Sequence, residues 1–244
     1  MNTRDVVVLC YHAVSPRWTA DLSVSPGTLD AHIGYLIDRG WRPTTFSNAV
    51  ASTAPGKVLA ITFDDAFASV KTLAWPILRN HGAVATVFAP TAFMEEHTDL
   101  EWAGIDQWKN SVASDELRAM DWDDLGELAR DGWEIGSHTC THPRLTQLDD
   151  DALARELSAS RALCADRLGR PCRSVAYPYG DMNPRVVAAA AAAGYEAGAR
   201  LSRDLRQSGP LSYPRVGLYH LDNWSRFRIK IASPIRRLRA TRLA

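Results

Sequence analysis

"LAITFDDAF" occupies residues 59–67, an apolar run of strand type that stops at two adjacent carboxylates. Adjacent like charges oppose each other's ionisation. A chain that sets Asp64 and Asp65 together at the mouth of a core strand therefore points to two different tasks for them.

Outward from this strand, strand-like and helix-like segments alternate along the whole chain. VVVLCYH (6–12) reads as a buried strand, and PGTLDAHIGYLIDR (26–39) carries apolar positions at helical spacing with Gly40 as a stop. After VLAITFDD (58–65), residues 68–82 read as a helix with Pro76 as a kink, and AVATVFAP (83–90) as a strand. Residues 94–121 break the rhythm: they are polar and acid-rich, and they read as a long loop with short helices. Then follow a helix over 122–132, a strand over 133–138, an amphipathic helix with an acidic start over 149–169, and a strand running into a turn over 174–180. A helix over 183–194 has Pro near its start and Gly at its end, and 195–200 and 213–220 are the last strands. About seven β/α units in one domain predict an α/β fold with a parallel sheet. Reactive residues end strand after strand: His12, Asp64 and Asp65, His138, Tyr179. That favours a closed barrel with one site at the C-terminal ends of its strands.

The chain has 244 residues, 46% hydrophobic and 23% charged, with 28 basic and 28 acidic side chains. The zero net charge gives no bulk electrostatic attraction to nucleic acid, and no nucleic-acid partner is expected. The charge is unevenly placed: no acid follows Asp222, while Arg226, Arg228, Lys230, Arg236, Arg237, Arg239 and Arg242 do. Residues 1–222 are therefore read as the catalytic unit, and 223–244 as a basic helix or tail. That tail either lays an apolar face on the core or makes peripheral contact with anionic lipid. The apolar run Val6 to Cys10 is too short for an export signal, and no segment reaches the length of a membrane span. The expectation is a cytoplasmic protein, with peripheral contact at the inner membrane face as the alternative to a tail packed on the core. Cys10, Cys140, Cys164 and Cys172 form no C-x-x-C pair, and no structural disulfide is expected.

"SHTCTHPRL" (137–145) places His138 and His142 four apart, a spacing that brings two imidazoles together on a helix or in a tight turn after a strand. Two imidazoles and one carboxylate make a metal site with open positions; two polar loop histidines are the plain alternative. With the Asp pair added, one carboxylate binds the metal and its neighbour serves as base toward a water. An Asp pair capping the next helix explains one Asp better than two.

TFDD (62–65), SHTCTH (137–142) and AYPYG (176–180) resemble the first three motifs of the polysaccharide deacetylases, carbohydrate esterase family 4, with its NodB-homology domain. LCYH (9–12) resembles that family's late L-x-H motif moved to the front, as in the circularly permuted branch that includes bacterial poly-N-acetylglucosamine deacetylases. The resemblance covers roughly residues 6–220. It implies a distorted (β/α)7 barrel and metal-dependent removal of N-acetyl groups from an amino sugar in a saccharide or glycoconjugate. It implies Asp64 as general base, and Asp65, His138 and His142 as ligands of a divalent metal, usually zinc. It implies Tyr179 as the backbone N–H donor to the oxyanion and His12 as general acid.

Two positions depart from the pattern. The Arg that normally opens the third motif and braces the base falls at Ala176, and Asp204 and Asp222 are the weak candidates for the acid that accompanies it. The Gly that normally ends the first motif falls at Ala66, which is expected to enter the next helix in an ordinary conformation. Leu218-Tyr219-His220 also fits L-x-H, but His12 follows a buried strand and is preferred. Cys140 is expected to turn away from the two histidines, and His32, His81 and His97 to be surface or helix residues. Trp102, Trp108 and Trp122 are candidates for sugar stacking or for packing. A nucleotide- or lipid-linked amino sugar suits a cytoplasmic enzyme with a basic tail. The competing readings are a metal-dependent hydrolase of a non-sugar cyclic amide, and a non-catalytic saccharide-binding protein on the same scaffold.

Overall fold

The computed structural model describes residues 4–95, 98–201, 205–206 and 209–241. The strands are β1 (Arg4–Tyr11), β2 (Ala13–Val14), β3 (Ser23–Val24), β4 (Arg42–Thr44), β5 (Gly56–Asp64), β6 (Thr86–Ala89), β7 (Glu134–Ser137), β8 (Ser174–Ala176), β9 (Ala197–Leu201) and β10 (Tyr213–Gly217). The α-helices are α1 (Pro26–Ile37), α2 (Phe46–Ala51), α3 (Trp75–Asn80), α4 (Trp122–Arg130), α5 (Asp150–Leu168), α6 (Pro184–Ala192), α7 (Trp224–Ile231) and α8 (Ser233–Thr241).

Seven parallel strands close into a barrel: β1 pairs with β5 on one edge and β10 on the other, and β10, β9, β8, β7, β6 and β5 complete the ring. The first barrel strand in sequence thus lies between the last and the second, as expected if a terminal strand is moved to the front. The ring is uneven. β1 and β5 stay paired from Arg4–Gly56 to Tyr11–Phe63, whereas β7 meets β8 at Ser137–Val175 alone. β4 and β6 share one edge of β5, β4 beside its first half and β6 beside its second.

Alternation along the strands sorts side chains into two cores. Leu59, Ile61 and Phe63 of β5 join the large cluster beneath the helices. Ala60 faces the interior with Val8, Phe88, Ala176, Ala199 and Tyr213. By the same period of two, Thr62, Asp64 and Arg215 point inward, and the three alanines leave room for the long guanidinium side chain.

The helical boundaries follow local chemistry. The Asp149 side chain accepts from Ala152 N to start α5, which stops at Gly169 in a left-handed conformation (φ 63°). The helix expected over 68–82 is a π-type turn, Val70–Ala74, followed by α3. Pro76 follows that π-type turn directly within one helical run over 68–80, and the widened turn takes up a position that has no N–H to donate. The β2–β3 pair, β4 and α2 have no counterpart in the sequence reading; each is short, and β4 contains Pro43.

α7 packs against the barrel. Phe227 is buried and stacks on His32, ring centroids 3.7 Å apart, and Arg236 of α8 pairs with Asp5 at 2.7 Å. No helix among the described residues is long and apolar enough to cross a membrane. His32 is a helix residue but not a surface one: it is buried, and its Nδ1 lies 3.1 Å from the Tyr11 hydroxyl. Burial lowers its pKa from 6.5 to about 4, against the opposing pull of Asp222. The folded chain resists protonation there while the unfolded chain accepts it. His32 therefore costs no stability above pH 6.5, and stability falls as pH drops from 6.5 toward 4, by about 3 kcal/mol in all. Denaturant unfolding of the wild type and His32→Gln across that window is expected to show a shallower pH dependence in the variant. His81 is partly exposed and pairs with Asp30 at 2.8 Å. His97 lies outside the described residues.

Candidate active site

A cavity of about 460 Å³ opens at the C-terminal ends of the barrel strands, and His12, Asp64, Asp65, His138, His142 and Tyr179 all line it. β1 delivers His12, the end of β5 delivers the Asp pair, the turn after β7 delivers both histidines, and the turn after β8 delivers Tyr179. His220 is exposed on the outside, its N–H donating to Asp21 O, while Tyr219 beside it lines the cavity.

Backbone strain gathers here. The described non-glycine residues with left-handed φ are Asp65 (71°), Ala66 (56°), Thr139 (67°), His142 (59°) and Tyr179 (60°), all on the two Asp/His turns and the Tyr turn. Each costs on the order of 1 kcal/mol and persists where the surroundings dictate it. Ala66 therefore does not enter the next helix in an ordinary conformation. It takes the left-handed shape that a glycine would take freely, because the chain must reverse just after placing both carboxylates.

The two carboxylates have separate surroundings. Asp65 Oδ1 lies 3.3 Å from Nε2 of both His138 and His142, yet makes no hydrogen bond of good geometry. Nδ1 of His138 is 2.8 Å from Ala176 O, which can only accept, so Nδ1 carries the proton and Nε2 is turned toward Asp65. Burial would lower His138, but Asp64 and then Asp65 raise it: the pocket is short of positive charge. Burial would raise Asp65, and the two imidazoles hold it well below the usual carboxylate range. One carboxylate oxygen and two imidazole nitrogens within 4.8 Å of one another, all buried, fit a divalent cation with N/O preference.

Asp64 is held by a residue missed in the sequence. Arg215 of β10 donates to it twice, Nη1 to Oδ1 at 2.6 Å and Nη2 to Oδ2 at 2.7 Å, and Nη1 also reaches Thr62 Oγ1 at 3.0 Å. The absence of Arg at position 176 is thus not the absence of a brace. Ala176 leaves interior space, and a guanidinium rising from β10 fills it. Burial would raise the Asp64 carboxyl, but Arg215, together with His138 and His12, holds it below the usual range. The available signal was a lone charge in "YPRVG", two residues from inward-facing Tyr213: a cation inside a buried strand requires an anionic partner. Asp222 is not that partner; it accepts from Tyr219 N at 2.9 Å and pairs with Lys230 at 2.5 Å. Asp204 lies outside the described residues.

Cys10, His12 and Asp64 also lie within 4.8 Å of one another. Arg215 already neutralises that carboxylate, and burial pushes the Cys10 thiol well above its ordinary pKa, so this trio does not suit a cation. Burial lowers His12, against the pull of Asp65 and Asp64. Cys140 turns away from the histidines, its Sγ 3.6 Å from Glu156 O. Among the candidate tryptophans, Trp102 lines the cavity and stacks on His142 at 4.0 Å. Trp108 packs edge-on against buried Trp18, and Trp122 donates from Nε1 to Glu95. The long 94–121 segment, built on short 3₁₀ turns, thus supplies a cavity wall through Trp102, Gly104 and Ile105.

A family model described as polysaccharide deacetylase matches residues 51–198, which hold the Asp pair, both histidines and Tyr179. YxkH of Bacillus subtilis (strain 168), assigned to the polysaccharide deacetylases, is 25% identical over 196 residues. That match takes in 78% of this chain and 62% of YxkH, so the chain spans less than two thirds of that relative. The Streptococcus pyogenes deacetylase PplD superposes with a TM-score of 0.76 at 23% identity, over 93% of this chain and 98% of PplD. IcaB from Ammonifex degensii superposes at 0.71 with 23% identity, over 95% and 100% of the two chains. The de-N-acetylase from Aggregatibacter actinomycetemcomitans gives 0.75 with 20% identity, over 92% and 99%. At these identities the superpositions establish the barrel fold.

Proposed function

The chain belongs to the polysaccharide deacetylase family, and from that premise we propose that it removes N-acetyl groups from an amino-sugar glycan by metal-assisted hydrolysis. The observation that carries this reading is the division of labour between the adjacent carboxylates: Asp65 faces two imidazoles and Asp64 faces a guanidinium.

Asp65, His138 and His142 would hold the divalent cation, with zinc suited to two imidazoles and one carboxylate. When bound, it supplies Lewis-acid polarisation of the amide carbonyl and acidifies a neighbouring water. Asp64, kept ionised and immobile by Arg215, takes a proton from that water as its oxygen adds to the acetyl carbon. The Tyr179 turn offers its N–H to the oxygen that gains negative charge. His12 delivers a proton to the sugar nitrogen as the C–N bond breaks, leaving acetate and a free amine. Trp102, Tyr179 and Tyr219 present aromatic surface to the faces of sugar rings.

The reading as a retired binding scaffold rested on Ala176, and Arg215 removes that support. The test is acetate release from a panel of N-acetylated sugars, free, polymeric and nucleotide- or lipid-linked, together with metal content and with Asp64→Asn as control. Acetate release that the control abolishes is expected. Ring opening of small cyclic amides with no acetate from any sugar would replace this reading with the cyclic-amide hydrolase.

A further inference from the structure

At the end of the barrel opposite the catalytic cavity lies a groove of about 500 Å³ between the last turn of α1, the start of β5 and the α7–α8 pair. Its cations are Arg39, Lys57 and Arg228, its apolar and aromatic lining includes Trp41, Ile229 and Ile235, and no acidic side chain lines it. The cations are not consumed by ion pairs. Lys57 donates to the Arg39 carbonyl at 2.8 Å, Arg39 lies over the Tyr35 ring and donates to the Tyr35 carbonyl, and Arg228 meets no carboxylate among the described residues. Other cations of the same helices are committed, Lys230 to Asp222 and Arg236 to Asp5. Ile229, next to Arg228, is 54% exposed, an apolar side chain standing in solvent beside unpaired positive charge.

We propose that this groove docks the protein on an anionic phospholipid bilayer, with Arg39, Lys57 and Arg228 taking phosphate headgroups and Ile229 entering the acyl boundary. Charge complementarity and the mixed lining argue for a lipid surface: phosphates alone would leave the isoleucines unexplained, and acyl chains alone would leave the cations unexplained. The placement has a consequence for the substrate. Lys57 is the second residue of β5 and Asp64 the last, so about 23 Å of strand separates the Lys57 end of the groove from the catalytic centre. A docked barrel opens its cavity away from the bilayer, toward free or extended glycan rather than a headgroup-proximal sugar in the same membrane.

The test is sedimentation of the protein with vesicles of phosphatidylcholine alone or mixed with phosphatidylglycerol, at low and high salt, alongside turnover of a soluble N-acetylated oligosaccharide. Binding is expected to require phosphatidylglycerol and to fall with salt. At about a fivefold loss per cation, the Arg39→Ala/Lys57→Ala/Arg228→Ala variant is expected to bind on the order of 100-fold more weakly. Ile229→Asp is expected to weaken binding separately, with circular dichroism and soluble turnover unchanged in both variants. Equal binding to phosphatidylcholine, an unaffected triple variant, or binding of soluble polyphosphate without vesicle binding would each overturn the proposal. Vesicle binding that blocks turnover of the soluble oligosaccharide would overturn the orientation. Vesicle binding is read without any activity, so failure of the deacetylase reading would leave this result standing and recognisable.

Discussion

Arg215→Met is expected to cost about 3–5 kcal/mol of stability and to lower the unfolding midpoint by on the order of 10 °C. Arg215 and Asp64 are both buried, with side-chain exposures of 0% and 5%, and they form a two-pronged ion pair inside the barrel. Removing the guanidinium strands a carboxylate in a site where burial already pushes its pKa up. The pKa of the stranded group then rises, and the proposed base is weakened along with the stability. Arg215→Lys keeps the charge but not the planar fork, and an intermediate loss is expected. The deciding comparison is the double variant Arg215→Met/Asp64→Asn. If the pair accounts for the loss, the double variant recovers most of the stability that Arg215→Met removes, and none of the activity. Additive losses in the double variant would show that Arg215 acts by packing, against Phe88 for example, 5.4 Å from its guanidinium carbon.

Asp64→Asn and Asp65→Asn change the same atom in adjacent residues and are expected to fail differently. Asp64→Asn removes the proposed proton acceptor and is expected to lower kcat by about 10²- to 10⁴-fold with the content of divalent metal unchanged. Asp65→Asn removes the proposed carboxylate ligand, which lies 3.3 Å from both His138 and His142. It is expected to lose metal and turnover together, with partial recovery at high zinc. Metal content after dialysis, measured beside acetate release, separates the two. Loss of metal in both variants would mean that the pair binds the ion jointly and that the division of roles is wrong.

The alternation of β and α segments, the helix limits set by Asp149 and Gly169, and the reactive ends of successive strands are local features, legible because each depends on a few neighbouring residues. The same holds for His138 and His142, whose spacing alone brings two imidazoles within reach of one ion. Ala66 was misread for a local reason too: no neighbour in sequence reveals that a residue must adopt φ 56°, since that is imposed by the ring of strands that fixes where the chain must reverse. The helix that carries His32 was visible, but its burial was not, because the helix that covers it, α7, lies nearly two hundred residues later.

By itself the amino-acid sequence pointed to the barrel class and to the residues that meet at its mouth, because apolar strand runs alternating with helices, and the reactive residues at the strand ends, are written along the chain. Only the tertiary structure decided which cation holds Asp64, since Arg215 is 151 positions away and reaches it through the closed interior. It also decided that Arg39, Lys57 and Arg228 share one acid-free groove. Charges separated in sequence become a site only when closure of the ring brings their strands and helices together.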